Sequence, residues 1–145
     1  LTPRVALLSH SNFGDSDWDS ASMMRDALQI IRRRAPDLCI DGEMRSDVAL
    51  VPAIREALID GSTLQGQANV LVMPSVDAAN ITVNLLKVLN DGVTVGPIAL
   101  GLRPGAHILT PAATVRRVIN MTTLAAVDAT EQHGQAELNF SASAG

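Results

Sequence analysis

Stretches of strand character and of helix character alternate four times along this chain, and that order constrains its fold more than any other feature. Short apolar runs suited to strands lie at residues 4–8, 38–44, 69–73 and 93–101. Helical patterns follow them over 17–34 (or from Asp19), 47–59, 77–89 and 114–129. Strands separated by helices pair in parallel, because the crossover needs a dozen or more residues. The crossover helices then cover the sheet. The predicted class is α/β: a mostly parallel sheet with helices on both faces, in three layers. Residues 1–130 are expected to form the domain. Residues 131–145, polar and rich in Gly, Ser and Ala, are expected to be a solvated tail.

Local chemistry supports these elements. Ala21, Met24, Ala27, Leu28 and Ile31 recur at spacings of three and four, so the first helix has one apolar side. Asp17 and Asp19 lie at its start and Arg32, Arg33 and Arg34 at its end, which complements the helix dipole. Pro36 stops it. Pro52 is expected near a helix start or at a break, since it cannot donate a backbone hydrogen bond. The helix over 77–89 is apolar around most of its circumference, which predicts burial on more than one side.

Composition narrows the partners. The 145 residues are 47% hydrophobic, enough for a core, but include only two Phe, one Trp and no Tyr. The core is therefore aliphatic. One Lys, ten scattered Arg and a net charge of −4 supply neither the basic surface nor the stacking platforms that nucleic acids need. Cys39 is the only cysteine, so no internal disulfide forms, in keeping with a cytoplasmic protein. No apolar run reaches the roughly 18 residues of a membrane span, and no secretory leader is visible. The first residue is Leu, which predicts a chain that begins inside a longer protein.

In parallel sheets, ligands collect beyond the carboxyl ends of the strands. The predicted tips are 9–17, 41–47, 74–80 and 101–110. Ser9, His10, Ser11 and Asn12 offer hydroxyls, an amide and a following helix start for an anion, or serve as ordinary turn and cap residues. Asp41 and Glu43 could act as acid and base, or bond the backbone of neighbouring loops. Gly101 to Gly105 flank Arg103, whose guanidinium can grip a phosphate or carboxylate. His10, His107 and His133 are isolated and no cysteine pair exists, so no metal site is expected. No glycine-rich dinucleotide or phosphate-loop signature and no G-x-S-x-G elbow is present. Asn80-Ile81-Thr82 and Asn120-Met121-Thr122 match glycosylation sequons, which matter only in a secreted chain.

Four stretches together carry a family resemblance. They are VALLSHSNFG (5–14), PDLCIDGEMRSDVAL (36–50), GQANVLVMPSVDAANITVNLLK (66–87) and GPIALGLRPGAHILTP (96–111). In order and spacing they resemble the phosphate acetyl/butyryltransferase family over residues 4–129. Ser11 to Gly14, Asp77 to Asn80 and Leu109 to Arg117 resemble most the phosphotransacetylase-like C-terminal domain of bacterial NADP-dependent malic enzymes.

The resemblance implies an α/β fold with an acyl-CoA cleft between two subdomains, of which only the C-terminal part is present. It implies ligand-facing roles for Ser9, Ser11, Asn12, Arg103, His107 and Thr110 toward acyl-CoA or phosphate. Active transferases of the family carry a Ser-Arg pair after the G-P-I loop, and an Asp a few residues on. Here Thr110 and Pro111 hold the pair's positions and Arg117 falls near the Asp. No catalytic residue is therefore expected. The implied function is a regulatory and oligomerising domain of a malic enzyme, with acetyl-CoA as effector and self-association to a dimer or higher. The malate site, NADP and a divalent metal (Mg or Mn) would belong to the catalytic region upstream in the parent, and no cofactor to this fragment. The alternatives are an active phosphate acetyltransferase fragment and a purely structural dimerisation domain.

Overall fold

The computed structural model describes residues 1–89, 95–98, 106–109, 111 and 113–142. They divide into two compact units, Leu1–Leu89 and Asn90–Gly145. The first unit is an α/β arrangement built on three parallel strands. Strand β1 (Arg4–Leu8) lies in the middle, flanked by β2 (Cys39–Met44) and β3 (Val70–Val72). A central strand buried on both faces needs an unbroken apolar run, and RVALL supplies one. Val5 and Leu7 pack with Ile40 and with Met24 and Leu28 of helix α1 (Asp19–Arg34). Ala6 and Leu8 point the other way, to Met44, Leu64 and Ala68, and to Val48 and Ala49 of helix α2 (Ser46–Leu50). Full burial of each large aliphatic side chain contributes about 1.5–3 kcal/mol.

Helix α1 begins and ends where its charges predict, with Asp19 in the first turn and Arg32, Arg33 and Arg34 in the last. The single helix expected over 47–59 is instead two. Helix α2 stops at Leu50, Val51 is extended, and α3 (Pro52–Leu58) restarts with Pro52 in its first turn. Pro52 lacks an N–H and excludes the helical conformation from the residue before it, so the break falls there.

Arg55 on α3 is 2% exposed. Its Nη1 donates to the Val48 carbonyl (3.1 Å), and its Nη2 to the carbonyls of Leu64 (3.0 Å) and Gly66 (2.6 Å). One planar fork thus ties α2 to the turn that leads into β3.

Helix α4 (Val76–Leu89) departs from expectation. None of its residues is buried, and Ile81 is 69% and Val88 84% exposed. Among the described residues no strand or helix packs extensively against it. Three residues of β3 span about 10 Å, whereas the 14-residue helix is about 21 Å long. Val70 and Val72 are themselves part-exposed.

In the second unit, α5 (Val115–Ala142) starts after Thr114, whose Oγ1 accepts the Arg117 N–H at 3.3 Å as an N-cap. Helical backbone continues through 131–142, where the sequence suggests a tail. The fourth strand expected over 93–101 lies largely outside the described residues, and 95–98 forms no strand. Among the described residues no helix is long and apolar enough to cross a membrane.

Gly42 is where the sheet tolerates no side chain. Its φ is +145°, and a Cβ there would sit 2.6 Å from the Leu7 carbonyl oxygen of β1. Replacing Gly42 with Ala is expected to lower the unfolding free energy by about 3 kcal/mol. Urea denaturation measures this, and a loss below about 1 kcal/mol would show that β2 can shift away from β1.

Candidate functional site

The pairing of β1 with β2 slips once. Leu7 faces Gly42 but Leu8 faces Met44, leaving Glu43 as an extra residue. A bulge of this kind re-aims a side chain. The Glu43 side chain is fully buried beneath the loop that follows β1. Its Oε1 accepts from Ser11 Oγ, from the Gly14 N–H and from Arg25 Nη1, each at 3.1 Å. Oε2 is buried and makes no hydrogen bond among the described residues. The Glu43 carbonyl also accepts the Phe13 N–H at 2.7 Å, and the Met44 carbonyl accepts the Ser9 N–H at 3.0 Å. One strand end therefore fixes the shape of the loop over 9–14.

Asp41 performs the same service for a second loop. Its Oδ1 accepts from Arg32 Nη2 (2.9 Å) and from the Gly42 N–H (3.0 Å). Its Oδ2 accepts from Ser62 Oγ (2.7 Å) and the Thr63 N–H (2.9 Å). Of the two readings open for Asp41 and Glu43, this geometry is that of carboxylates bonding neighbouring loops. Arg25 and Arg32 stand seven residues apart on α1, and Asp41 and Glu43 two apart on β2, so two ion pairs lace the helix to the edge strand.

The six residues singled out for ligand contact are placed as follows. Ser9, Ser11 and Asn12 share the loop after β1. Ser11 and Asn12 are buried and engaged: Ser11 with Glu43, and Asn12 Oδ1 as acceptor of the Arg45 N–H at 2.9 Å. Ser9 Oγ accepts the Ser11 N–H at 3.1 Å. His107 lies in the second unit with its ring 7% exposed. Its Nε2 is 3.4 Å from Asp128 Oδ2, yet neither ring nitrogen has hydrogen-bond geometry to any described partner. Arg103 and Thr110 lie outside the described residues.

Beyond the carboxyl ends of β1 and β3 is a cleft of about 530 Å³. Ser9 and His10 form its floor at the end of β1, and Leu71, Met73 and Pro74 at the end of β3. Ser20, Ser46 and Ala78, each in the first turn of a helix, stand at its sides, with Leu85 and Leu86 of α4. His10 is held by Ser16 Oγ at 3.1 Å and by the Trp18 ring at 5.4 Å between centroids. Sequence reasoning located the strand tips but missed the apolar wall. Its signal was present in Leu85 and Leu86, apolar positions on a helix with more apolar surface than one side can bury.

Beside the cleft, Arg45 hydrogen-bonds Asp47 and holds its carboxyl below the usual carboxylate range. Both groups are at the surface. The small stabilisation exists above the ordinary Asp value and fades as pH falls through the lowered one.

Residues 1–126 match the phosphate acetyl/butaryl transferase family. The chain is 56% identical over 133 residues to the NADP-dependent malic enzyme of Escherichia coli, covering 91% of this chain and 18% of that protein. It is 52% identical over 128 residues to an NAD-dependent malic enzyme of Rhizobium meliloti, covering 88% and 17%. Among solved structures, the EutD phosphotransacetylase from Staphylococcus aureus matches with a TM-score of 0.78 and 33% identity, over 88% of this chain and 40% of that one. This chain thus spans under a fifth of the malic enzymes it resembles.

Because Glu43 is buried and gathers three donors, Glu43→Ala is expected to lower the unfolding free energy by about 2–3 kcal/mol, with Glu43→Gln losing less. Denaturation curves with amide-exchange protection of residues 9–14 test this. Unchanged protection in Glu43→Ala would show that the loop holds its shape without the carboxylate.

Proposed function

Since the chain belongs to the phosphate acetyl/butaryl transferase family, we propose that it is the phosphotransacetylase-like domain of a malic enzyme, that it binds acetyl-CoA as an allosteric effector, and that it performs no acyl transfer. The observation that carries this reading is the cleft at the ends of β1 and β3, in the place where parallel sheets receive ligands. The match of nearly the whole chain to malic enzymes supports the parent. Thr110 and Pro111, at the positions of the family's Ser-Arg pair, support the loss of chemistry. Proline has no side-chain donor for a phosphate. A site can lose its reaction and retain its ligand.

The malate site, the nicotinamide cofactor and a divalent metal belong, on this reading, to other parts of the parent. The two relatives bear on the cofactor: one is named NADP-dependent and the other NAD-dependent, at nearly equal identity to this chain. Nicotinamide preference is then a property of the parent's other domains. Regulation requires that acetyl-CoA bind two states of the parent with different affinity.

A second contribution is self-association. The apolar side of α4, with Ile81, Leu85, Val88 and Leu89 all more than half exposed, favours it. Light scattering on the full-length parent is expected to show a dimer or larger, and Ile81→Asp with Val88→Asp to reduce it toward the monomer.

Calorimetric titration of acetyl-CoA into the full-length parent tests the central claim. Saturable binding with a fall in malate decarboxylation is expected, and no acetyl phosphate from acetyl-CoA and phosphate. Binding without any change in decarboxylation would remove the regulatory role. Acetyl phosphate production would restore the transferase reading, and absence of binding would leave the oligomerising role alone.

A further inference from the structure

A second cavity lies at the edge of the sheet, between α1, the end of β2 and the turn over 59–63. Among the described residues it shares no lining residue with the cleft at the ends of β1 and β3. Its volume of about 320 Å³ is at the lower end of the roughly 300–1,000 Å³ of small-molecule sites. Four charged side chains line it, and two of them are engaged with their surroundings. Arg32 bonds Asp41, whose two oxygens also accept from Gly42, Ser62 and Thr63.

The other two, Glu43 and Arg25, keep open atoms. The Glu43 side chain is fully buried, and its Oε2 has no hydrogen-bond partner although Oε1 has three. Leaving a buried carboxylate oxygen unpaired costs about 1–3 kcal/mol or more, so this position favours an incoming donor. Arg25 Nη1 donates to Glu43 and to the Ser16 carbonyl, but Nη2 has only a 3.7 Å approach to the exposed Asp17. Gln29, exposed and four residues further along α1, also lines the cavity, and its amide makes no hydrogen bond among the described residues. Residues four apart on a helix stand side by side, so both donors belong to one patch. The open acceptor and the open donors are therefore joined by a single ion pair, Arg25 Nη1 to Glu43 Oε1 at 3.1 Å. Phe13, Leu28 and Ile59 give the cavity its apolar lining.

We infer that this cavity binds a free α-amino acid with an aliphatic side chain. The ammonium donates to Glu43 Oε2, the carboxylate accepts from Arg25 Nη2 and the Gln29 amide, and the side chain lies against Phe13, Leu28 and Ile59. A zwitterion fits because the open charges are one of each sign and adjacent. A lone anion would meet the Glu43 carboxylate, and a lone cation the Arg25 guanidinium. The inference goes beyond the acetyl-CoA reading and does not depend on it.

The test is calorimetry on the full-length parent with L-leucine, with L-leucinamide, which lacks the carboxylate, and with 4-methylpentanoate, which lacks the ammonium. Saturable binding of L-leucine is expected, with each of the other two weaker by about tenfold or more. Glu43→Gln and Gln29→Glu are each expected to weaken L-leucine by about tenfold, the first by removing the charge that meets the ammonium and the second by repelling the carboxylate. Gln29 is exposed, so its variant serves if the Glu43 variant fails to fold. Absence of L-leucine binding overturns the inference and leaves the cavity to water. Binding that is unchanged in the folded variants also overturns it, because the amino acid is then held elsewhere in the parent. Equal binding of L-leucinamide or of 4-methylpentanoate overturns it as well, since one charge would then suffice. None of these outcomes bears on acetyl-CoA, whose titration stands as a separate experiment.

Discussion

The buried carboxylate of Glu43 is the constraint on which the candidate site depends. It lies at the one slip in the pairing of β1 and β2, where an extra residue directs a side chain beneath the neighbouring loop. A buried polar group needs hydrogen-bond partners, and Ser11, Gly14 and Arg25 supply them to one oxygen. Those three come from the loop after β1 and from helix α1, whose Arg25 also donates to the Ser16 carbonyl at 2.8 Å. The carboxylate therefore shapes the floor beside Ser9 and His10 and anchors α1 to the sheet edge. Gly42 makes the slip sterically possible, since β1 passes too close for any Cβ.

Away from this polar anchor the unit is plain aliphatic packing. Met24, Leu28 and Ile40 cover one face of β1, and Met44, Val48 and Leu64 the other. Arg55 performs for α2, α3 and the following turn what Glu43 performs for the strand-end loop. It satisfies three carbonyls that would otherwise be buried without partners. Two oppositely charged groups, each deeply buried and each bonded chiefly to its surroundings, thus hold the connections on opposite sides of the sheet.

Among the described residues the cleft has a largely aliphatic lining, with Ser9, His10, Ser20, Ser46 and Thr82 as its polar members. It fits a domain whose relatives include both malic enzymes and phosphotransacetylases. The family scaffold is retained.

Much of the architecture was legible in the residues. Short apolar runs and three-to-four spacing follow from backbone geometry, so β1, α1 and β2, and a helix start or break at Pro52, could be anticipated from local chemistry. The strand-end location of the site followed from the parallel order. The roles of Ser11, Asn12 and Glu43 did not, because a turn residue and a ligand residue have the same side chain until their partners are known. Arg25 and Glu43 are 18 residues apart, and Arg55 reaches carbonyls seven to eleven positions away. The apolar circumference of α4 was readable, but its exposure was not. Burial depends on what packs against a helix, and among the described residues no element packs extensively on α4. Sequence by itself determined the alternation of elements, the aliphatic core and the family, since these rest on local geometry and composition. Tertiary structure alone decided which polar groups are spent inside and which surface is left for a ligand, since both depend on contacts between residues distant in the chain.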